Sequence, residues 1–489
     1  MKKVSVDPIT RLEGHGKIEI FVDDDNKVQN VYFQIPELRG FERFCVGRPV
    51  EELARITPRI CGVCPEAHHM AATKAIDAVF GVEAPPAARK LRELLYNTFY
   101  VTDHATHFYI LAGPDFIMGP EADPAVRNIL GVIHKVGLET AGALIKARAE
   151  AAELISMIGG KQIHPVCGLP GGVSKAITPE ERDRMVEITA GLVEFAKFTL
   201  KLFDDVVLAN DAYVDLIKSD AFTHQTYYMG MVDENNRVNF YDGTIRVVGP
   251  DGAELVKFEG RDYLQHLAEH VEPYSYLVYP YLKAVGWKGF VDGKDSGVYR
   301  ASPLSRLNAA DGMATPAAQE EYERFFSTLG GKPVHATLAT HWARLVELLY
   351  AAERAHELAT DPEIVDPNVR TIPEGIVGEG VGVVEAPRGT LYHHYKTDDK
   401  GITTAVNLIV GTTNNNAAIS MSLKKAAEGV LTGGSEISEG TLNMIEMAFR
   451  AYDPCFGCAT HTLPGDMPLE VTVRRRSTGE VVTSARRNM

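Results

Sequence analysis

Apolar residues recur at every third or fourth position over much of the chain. This spacing is typical of amphipathic helices, which bury one face against a core. The stretches that show it are 88–111, 125–159, 178–208, 316–360 and 437–452. The first three lie between Pro86 and about Ser219 and are long. They therefore predict a bundle of antiparallel helices.

Alternating apolar residues predict strands elsewhere. Residues 16–35 alternate on both sides of a D-D-N turn, which indicates a β-hairpin. Short strands with turns are also predicted for 225–300 and 380–413. A further helix is expected to begin at Thr57 or Pro58 and to run through the alanine-rich stretch that follows.

No internal repeat divides the chain, and no glycine- or serine-rich linker interrupts it. We therefore expect a single intertwined domain over residues 1–489. The predicted fold class is α+β, mostly α, with a central bundle of long helices and small peripheral β-sheets.

Composition narrows the classes of function. The chain has 489 residues, of which 45% are hydrophobic, and a formal net charge of −15. This charge argues against a nucleic-acid surface, which needs clustered lysine and arginine. No run approaches the ~18 apolar residues that cross a bilayer. The N-terminus lacks the apolar region of a signal peptide, so a cytoplasmic protein is expected.

Four of the six cysteines form two C-x-x-C pairs, Cys61 with Cys64 and Cys455 with Cys458. In a reducing compartment such pairs indicate metal binding or redox chemistry. Structural zinc held by four cysteines is the ordinary interpretation. These pairs, however, bracket almost the whole chain, whereas a structural zinc ion usually holds a small module together.

Histidines accompany both pairs. His68 and His461 follow them by three or four residues, a placement that suits proton handling beside a reactive metal. The lone Cys45 and Cys167 are expected to be small buried apolar residues instead.

Other polar residues interrupt apolar stretches. Glu13 lies in "RLEGHG", Asp103 and His107 share one face of a predicted helix, and Arg388 lies in a Pro-Gly turn. Each alone has an ordinary structural interpretation, such as a helix cap, a core histidine or a surface ion pair. Their presence together with two thiol pairs is harder to explain by packing alone.

Six motifs together resemble the large, catalytic subunit of the [NiFe]-hydrogenases, and they follow the order of that family. They are "RLEGHG" at 11–16, "RGFE" at 39–42, "RICGVCPEAH" at 59–68, "DHATHFY" at 103–109, "EAPRG" at 385–389 and "DPCFGCATH" at 453–461. The forms "CPEAHH", "EAPRGTLYHHY" and "TTNNN" look most like the cytoplasmic, cofactor-coupled branch, of the methyl-viologen-reducing or bifurcating type. The resemblance implies a hydrogenase large-subunit fold.

The resemblance also implies a nickel–iron centre. Cys61 and Cys455 would be terminal nickel ligands, and Cys64 and Cys458 would bridge nickel to iron. The iron in this family carries one carbon monoxide and two cyanides. Soft thiolates suit both metals.

Further roles come from the same resemblance. Arg388 would lie over the open coordination position, held by Asp103 and Asp453 through charge-assisted hydrogen bonds. Thr412 would donate a hydrogen bond to a cyanide, and Glu13 would be the first proton relay. His68, the last residue of the motif at 59–68, would be a further catalytic residue.

A second metal site is implied by "RGFE" and the last histidine. Glu42, the backbone carbonyl of Leu408 and His461 would hold Mg²⁺, or Fe²⁺, together with waters.

The implied reaction is the reversible heterolytic cleavage of H₂, with the proton leaving through Glu13. All four paired cysteines are used at the active site, so no set remains for an iron–sulfur cluster. The expected partner is therefore an iron–sulfur small subunit. From it, electrons would continue to flavin or iron–sulfur subunits and to NAD(P), ferredoxin or a heterodisulfide-type acceptor.

The 28 residues after His461 are unusual, because a maturation protease usually removes them in this family. Residues 469–484 alternate around a turn, so a C-terminal extension over 462–489 with a β-hairpin is expected. Either the mature enzyme retains this tail or the sequence is that of a precursor. Two alternating strands favour retention, since a cleavable tag would not need them.

Two other classes compete with the hydrogenase. The quinone-site subunit of respiratory complex I shares the fold but lacks the nickel thiolates, so two intact pairs argue against it. The other is a non-catalytic scaffold around a four-cysteine zinc ion.

Overall fold

A computed structural model describes residues 2–7, 9–25, 27–431, 438–460, 469–475, 477–478 and 481–487. Its helices are α1 Phe41–Cys45, α2 Leu53–Ile56, α3 Pro65–Phe80, α4 Pro86–Thr106, α5 Gly113–Ile117, α6 Ile129–Val136, α7 Leu138–Gly159, α8 Pro179–Phe203, α9 Asp211–Lys218, α10 Tyr263–His266, α11 Pro303–Ala309, α12 Pro316–Leu329, α13 Thr340–Thr360, α14 Asn416–Val430, α15 Glu439–Arg450 and α16 Phe456–Ala459. Two π-helical turns, His107–Ala112 and Asp204–Leu208, extend α4 and α8.

The strands belong to small, separate sheets. They are β1 Lys2–Val6, β2 Lys17–Val22, β3 Val28–Gln34, β4 Gly168–Leu169, β5 Gly172–Val173, β6 Tyr227–Val232, β7 Thr244–Val248, β8 Glu254–Phe258, β9 Leu267–Val271, β10 Val278–Leu282, β11 Tyr299–Arg300, β12 Glu379–Ala386, β13 Gly389–Thr397, β14 Thr403–Ile409, β15 Leu469–Arg474 and β16 Val481–Arg487. The sheet orders are β1-β2-β3, β11-β6-β7-β8 and β12-β13-β14, with two-stranded pairs β4-β5, β10-β9 and β15-β16.

Helix α13 is the centre of the helical bundle. Every residue from Thr340 to Ala352 is buried, and α13 packs against α4, α8, α11 and α12. A helix enclosed on all sides has no solvent face. It therefore also buries His341, Arg344 and Glu347, which need polar partners inside the core.

The antiparallel sheet β12-β13-β14 lies beside the bundle, and α3 packs across β12. Gly380 and Gly382 allow this contact, because a Cβ at Gly382 would lie 2.1 Å from the backbone oxygen of Ala71. The contact brings the start of α3, with Cys64, close to the turn after β12, which carries Arg388.

The predicted fold class, α+β and mostly helical, is confirmed: about 49% of the chain is helical and the sheets are small. The predicted hairpin at 16–35 is formed by β2 and β3, which β1 extends to three strands. Near the C-terminus, β15 and β16 pair antiparallel.

The continuous helix expected from Thr57 or Pro58 is wrong. A 3₁₀ turn covers Thr57–Ile60, and Cys61 then becomes extended, with φ −133° and ψ 139°. The α-helix begins only at Pro65, whose ring sets the first helical φ and whose missing N–H costs nothing there. This break lets both thiols of the first pair point to one side.

Among the described residues, no helix combines the length and apolar character that a membrane crossing requires.

Candidate metal centre

The four paired cysteines meet in the protein interior. Their sulfur atoms all lie within 4.8 Å of one another. The Sγ atoms of Cys61 and Cys455 are 3.3 Å apart, those of Cys64 and Cys458 are 3.6 Å apart, and those of Cys455 and Cys458 are 2.9 Å apart. All four residues are buried. Residues separated by 394 positions therefore form one site, as the sequence predicted.

Each pair is placed by the start of a helix. Cys64 precedes α3 and Cys455 precedes α16, so both chain segments turn sharply at the site. The backbone N–H groups of Val63 and Cys64 donate to Sγ of Cys61 at 3.2 and 3.1 Å. Hydrogen bonds of this kind stabilise a thiolate and fix the direction of its lone pairs.

Glu13 lies against the second pair. Its Oε2 accepts hydrogen bonds from Sγ of Cys455 at 3.0 Å and from the backbone N–H of Gly457 at 2.9 Å. The backbone joins the same two segments, because the N–H of Phe456 donates to the carbonyl of Glu13 at 3.1 Å. The carboxylate of the predicted first proton relay therefore touches the Cys455 thiol.

Arg388 is held between two carboxylates beside the sulfur cluster. Its guanidinium lies 3.1 Å from Oδ2 of Asp103 and 2.7 Å from Oδ2 of Asp453. All three residues are buried. Asp453 has φ +54°, a left-handed conformation that is uncommon for a non-glycine residue. Such strain persists only where surrounding contacts enforce it.

Burial raises the pKa of Asp103, and it raises that of Asp453 to about 7, although the charge of Arg388 opposes both shifts. Burial alone would lower the pKa of Arg388. The two carboxylates instead raise it well above its ordinary value. The guanidinium therefore stays protonated.

Thr412 and His68 contact the cysteines from the other sides. Oγ1 of Thr412 accepts from the backbone N–H of Cys455 at 3.0 Å, which leaves its hydroxyl hydrogen to donate elsewhere. Nε2 of His68 lies 3.6 Å from Sγ of Cys458, and its Nδ1 lies 3.1 Å from Nε2 of His393. His393, within the quoted motif "EAPRGTLYHHY", thus supports His68.

The site is suited to a cation. Burial raises the pKa values of the Cys455 and Cys458 thiols well above the ordinary value. Several buried thiolates this close together repel one another, so a positive ion is needed to hold them all deprotonated. Cys45 and Cys167 are buried away from the cluster, as predicted.

A small internal cavity lies beside Cys64 and Cys458. Its remaining walls are Cys455, the apolar side chains of Ala386, Leu391 and Val410, the backbone of Gly411, and the polar residues His68, Arg388 and Thr412. Nε of Arg388 is buried and has no hydrogen-bond partner among the described residues. Apolar walls with a few unpaired donors suit small polar ligands.

Two of the three residues predicted for a second metal are in contact. Oε1 of Glu42 accepts a hydrogen bond from the backbone N–H of Leu408 at 2.7 Å, whereas the expected ligand is the Leu408 carbonyl. His461 lies outside the described residues. The magnesium site therefore stays a prediction.

Sequence reasoning missed a buried arginine behind Asp453. Nη2 of Arg344 donates to the carbonyl of Ala451 at 3.0 Å, and its Nε and Nη1 have no partner in the described part of the chain. His107, which the sequence did single out, bonds the Arg450 carbonyl at 2.9 Å and lies 4.0 Å from Oδ1 of Asp453. The only signal for Arg344 was a charged residue inside an apolar helix.

Comparison with known proteins places this geometry in one class. A family model described as nickel-dependent hydrogenase matches residues 39–130 and 232–461, and a HoxL-like model matches 3–38. The chain belongs to the nickel-dependent hydrogenase family. It is a catalytic large subunit of the [NiFe] type, an oxidoreductase that acts on H₂.

Individual relatives indicate which types of hydrogenase this chain is most similar to. The iron-sulfur subunit of the F420-non-reducing hydrogenase of Archaeoglobus profundus is 49% identical over 99% of this chain and 100% of its own. The NAD-reducing hydrogenase HoxS subunit beta of Cupriavidus necator is 39% identical, over 96% and 97%. A crystal structure of an NAD⁺-reducing [NiFe]-hydrogenase in the H₂-reduced state superposes with a TM-score of 0.88 at 38% identity. That match covers 94% of this chain and 100% of the other. The family resemblance seen in the motifs is thus confirmed.

Proposed function

We propose that the four-cysteine cluster holds a nickel–iron centre at which this subunit cleaves H₂ reversibly into a proton and a hydride equivalent. The observation that carries the proposal is the meeting of four buried sulfurs within 4.8 Å, beside a guanidinium clamped by two carboxylates. When bound, the centre supplies the Lewis acid and the redox capacity. The protein supplies position, charge and a proton path.

The cysteines would divide as two terminal nickel ligands, Cys61 and Cys455, and two bridging ligands, Cys64 and Cys458. This division comes from the family motifs, since the cavity borders Cys455 as well as Cys64 and Cys458. Arg388 and Thr412 are the donors on this side that could hydrogen-bond to cyanides on iron.

Arg388 would orient and polarise H₂ at the open coordination position. A fixed positive charge in a dry site stabilises developing negative charge without reorganisation. Asp103 and Asp453 hold the guanidinium from two directions, so it cannot swing away. Their role would be positioning.

Glu13 would take the proton from the thiol of Cys455. The two groups are in hydrogen-bond contact at 3.0 Å, which is the geometry that direct proton transfer requires. Glu13 is partly exposed, so its carboxylate can pass the proton towards solvent.

The electrons released from H₂ must leave by a route other than the Glu13 proton path. The chain has six cysteines, four of them in the cluster, and Cys45 and Cys167 lie apart from it. We therefore propose that the partner is a separate iron–sulfur small subunit, with flavin or further iron–sulfur subunits beyond it. We further propose a cytoplasmic, cofactor-coupled enzyme with NAD(P), ferredoxin or a heterodisulfide as acceptor. The name of one relative, NAD-reducing hydrogenase, supports a nicotinamide acceptor.

We also propose that Glu42, the Leu408 carbonyl and His461 would hold Mg²⁺ or Fe²⁺ together with waters. The contact between Glu42 and the Leu408 backbone supports it. Few protein ligands with several waters is the usual coordination of Mg²⁺.

Infrared spectroscopy of the complex purified with its small subunit tests the proposal. We expect bands from metal-bound carbon monoxide and cyanide that are lost in Cys64→Ser and unchanged in Cys45→Ser, a buried cysteine outside the cluster. A nickel-containing, H₂-oxidising complex without such bands would contradict the assignment of the iron ligands.

A further inference from the structure

Two residues before Glu13, the chain takes an unusual conformation. Arg11 has φ +53°, in the left-handed region that favours glycine. This turn directs the chain so that Glu13 pairs with Cys455 in a short parallel bridge.

The side chain of Arg11 holds its own strained backbone. Nη1 donates to the carbonyl of Leu111 at 2.8 Å, and Nη2 donates to Oδ1 of Asp115 at 2.5 Å and Oδ1 of Asn443 at 2.9 Å. Leu111 lies in the π-helical turn after α4, Asp115 in α5, and Asn443 in α15. Residues from three structural elements therefore accept hydrogen bonds from the Arg11 guanidinium.

These contacts belong to a closed network of hydrogen bonds between polar side chains, which we call the lattice. Asp115 also accepts from Nη1 of Arg450 at 2.6 Å, and Arg450 donates to Oε2 of Glu446 at 2.6 Å. Glu446 in turn accepts from the hydroxyl of Thr10 at 2.7 Å. The lattice thus returns to the residue next to Arg11.

The charges within the lattice balance one another. Arg11 and Arg450 face Asp115 and Glu446, so the formal charges sum to zero, and all but Arg11 among these four are buried. A buried network in which every charge is paired is rigid, and removing one member leaves another uncompensated. Because Thr10 and Arg11 belong to this network, its rigidity restrains the segment that carries Glu13.

The same lattice reaches the other side of the centre. Arg450 ends α15, only three residues before Asp453, and its carbonyl accepts from His107. The same network therefore holds the segment with Glu13 and the segment with Asp453 and Cys455.

We propose that Arg11 is a positioning residue for proton exit, and that the lattice of Thr10, Arg11, Asp115, Asn443, Glu446 and Arg450 keeps Glu13 in contact with Cys455. The inference rests on the proposed relay role of Glu13. Without these bonds, residue 11 is no longer anchored and is free to leave the left-handed conformation, and Glu13 then moves away from the thiol.

Two rates measured on the whole complex separate this role from a general structural one. Conversion of para-H₂ to ortho-H₂ in H₂O reports cleavage and rejoining at the centre. Formation of HD from H₂ in D₂O additionally requires the released proton to exchange with solvent. Both are normalised to nickel content.

Arg11→Gly is the informative variant, because glycine adopts φ +53° without strain while all three side-chain bonds disappear. We expect HD formation to fall by about tenfold or more, as for a displaced catalytic group, and para–ortho conversion to change by less than about twofold. Combined with Glu13→Gln, Arg11→Gly should slow HD formation no further, since both changes break one step.

Asn236→Gly is the matched control. Asn236 is another non-glycine residue with φ near +58°, in an exposed turn between residues 233 and 237. This variant should alter neither rate. Arg11→Lys and Asp115→Asn give a second test if Arg11→Gly loses nickel; both should lower HD formation selectively.

HD formation at the wild-type rate in Arg11→Gly, or a loss fully additive with Glu13→Gln, would overturn the inference and leave the Glu13 relay standing. Unchanged HD formation in Glu13→Gln itself would overturn the relay, and the positioning role with it. An equal fall of both rates would show a structural role only.

Discussion

At the scale of residues, the site depends on close approaches between segments that are far apart in sequence. Gly457 is the clearest case. A Cβ there would lie 2.6 Å from Oε1 of Glu13 and 3.0 Å from Nη1 of Arg39. Only glycine lets the turn after Cys455 approach the Glu13 carboxylate this closely.

Gly457→Ala should therefore displace Glu13 while leaving all four cysteines in place. We expect nickel content within about 20% of wild type, and H₂ oxidation with an artificial acceptor lowered by about tenfold or more, because the proton acceptor has moved. Gly62→Ala serves as control, since a Cβ at Gly62 meets nothing within 4 Å. Equal activities in the two variants would argue against the contact.

Arg388→Lys tests the guanidinium. A lysine keeps the charge but has a single nitrogen, so it cannot form the two separate ion pairs with Asp103 and Asp453 that the planar guanidinium forms. We expect H₂ oxidation to fall by about 10²-fold or more, with cofactor infrared bands present. Arg354→Lys is the matched control, because Arg354 pairs with Glu93 at 2.8 Å, half-buried and outside the residues assigned to the site. Full activity in Arg388→Lys would contradict the proposed role.

At the scale of elements, the site is built where α3 crosses β12. Gly382→Ala would place a methyl group 2.1 Å from the Ala71 carbonyl and 2.3 Å from the Ala75 nitrogen. Backbone on both sides must then separate, which moves Cys64 away from Arg388.

For Gly382→Ala we expect a loss of about 1–3 kcal/mol in the free energy of unfolding, as for other overpacked interfaces. Denaturant unfolding of the purified complex measures this. Gly375→Ala is the control, since its Cβ would meet nothing within 4 Å. A midpoint for Gly382→Ala equal to that of the control would show that α3 and β12 have room to separate.

The elements also show what could be predicted from the chain alone. Long periodic stretches predicted α4, α7, α8 and α13 because burial of one face dictates their spacing. The helix expected through Cys61 failed because helix propensity is local, whereas the extended Cys61 is stabilised by contacts with the distant second pair. The lattice around Arg11 was invisible for the same reason: Arg11 and Asp115 are separated by 104 residues, and no spacing rule joins them.

Motif order predicted which site residues belong together. The family, the enzyme class and the fold class are confirmed by the comparisons, while the roles of Glu13, Thr412 and His461 stay predictions. Backbone geometry such as the left-handed conformation of Asp453 has no signature in the sequence.

At the scale of the whole molecule, the cluster ties the two ends of the chain together. Cys61 and Cys455 are 394 residues apart. A metal that binds only the folded arrangement stabilises it, and it removes the entropy of a very long loop.

Nickel-loaded protein should therefore unfold at a higher temperature than protein produced without nickel, by several degrees. Calorimetry of both preparations measures the difference. Cys61→Ser should abolish it, whereas Cys45→Ser, which alters a buried cysteine outside the cluster, should preserve it. Equal midpoints with and without nickel would contradict a cross-linking role.

The most direct test of the central claim is the metal content of the purified complex, compared between wild type and Cys455→Ser. The iron of the small subunit is counted separately after the large and small subunits have been dissociated. We predict about one nickel and one active-site iron per large subunit in the wild type, with nickel lost in the variant. A wild-type large subunit that holds one zinc and no nickel would contradict the account. Nickel retained in Cys455→Ser would contradict it as well.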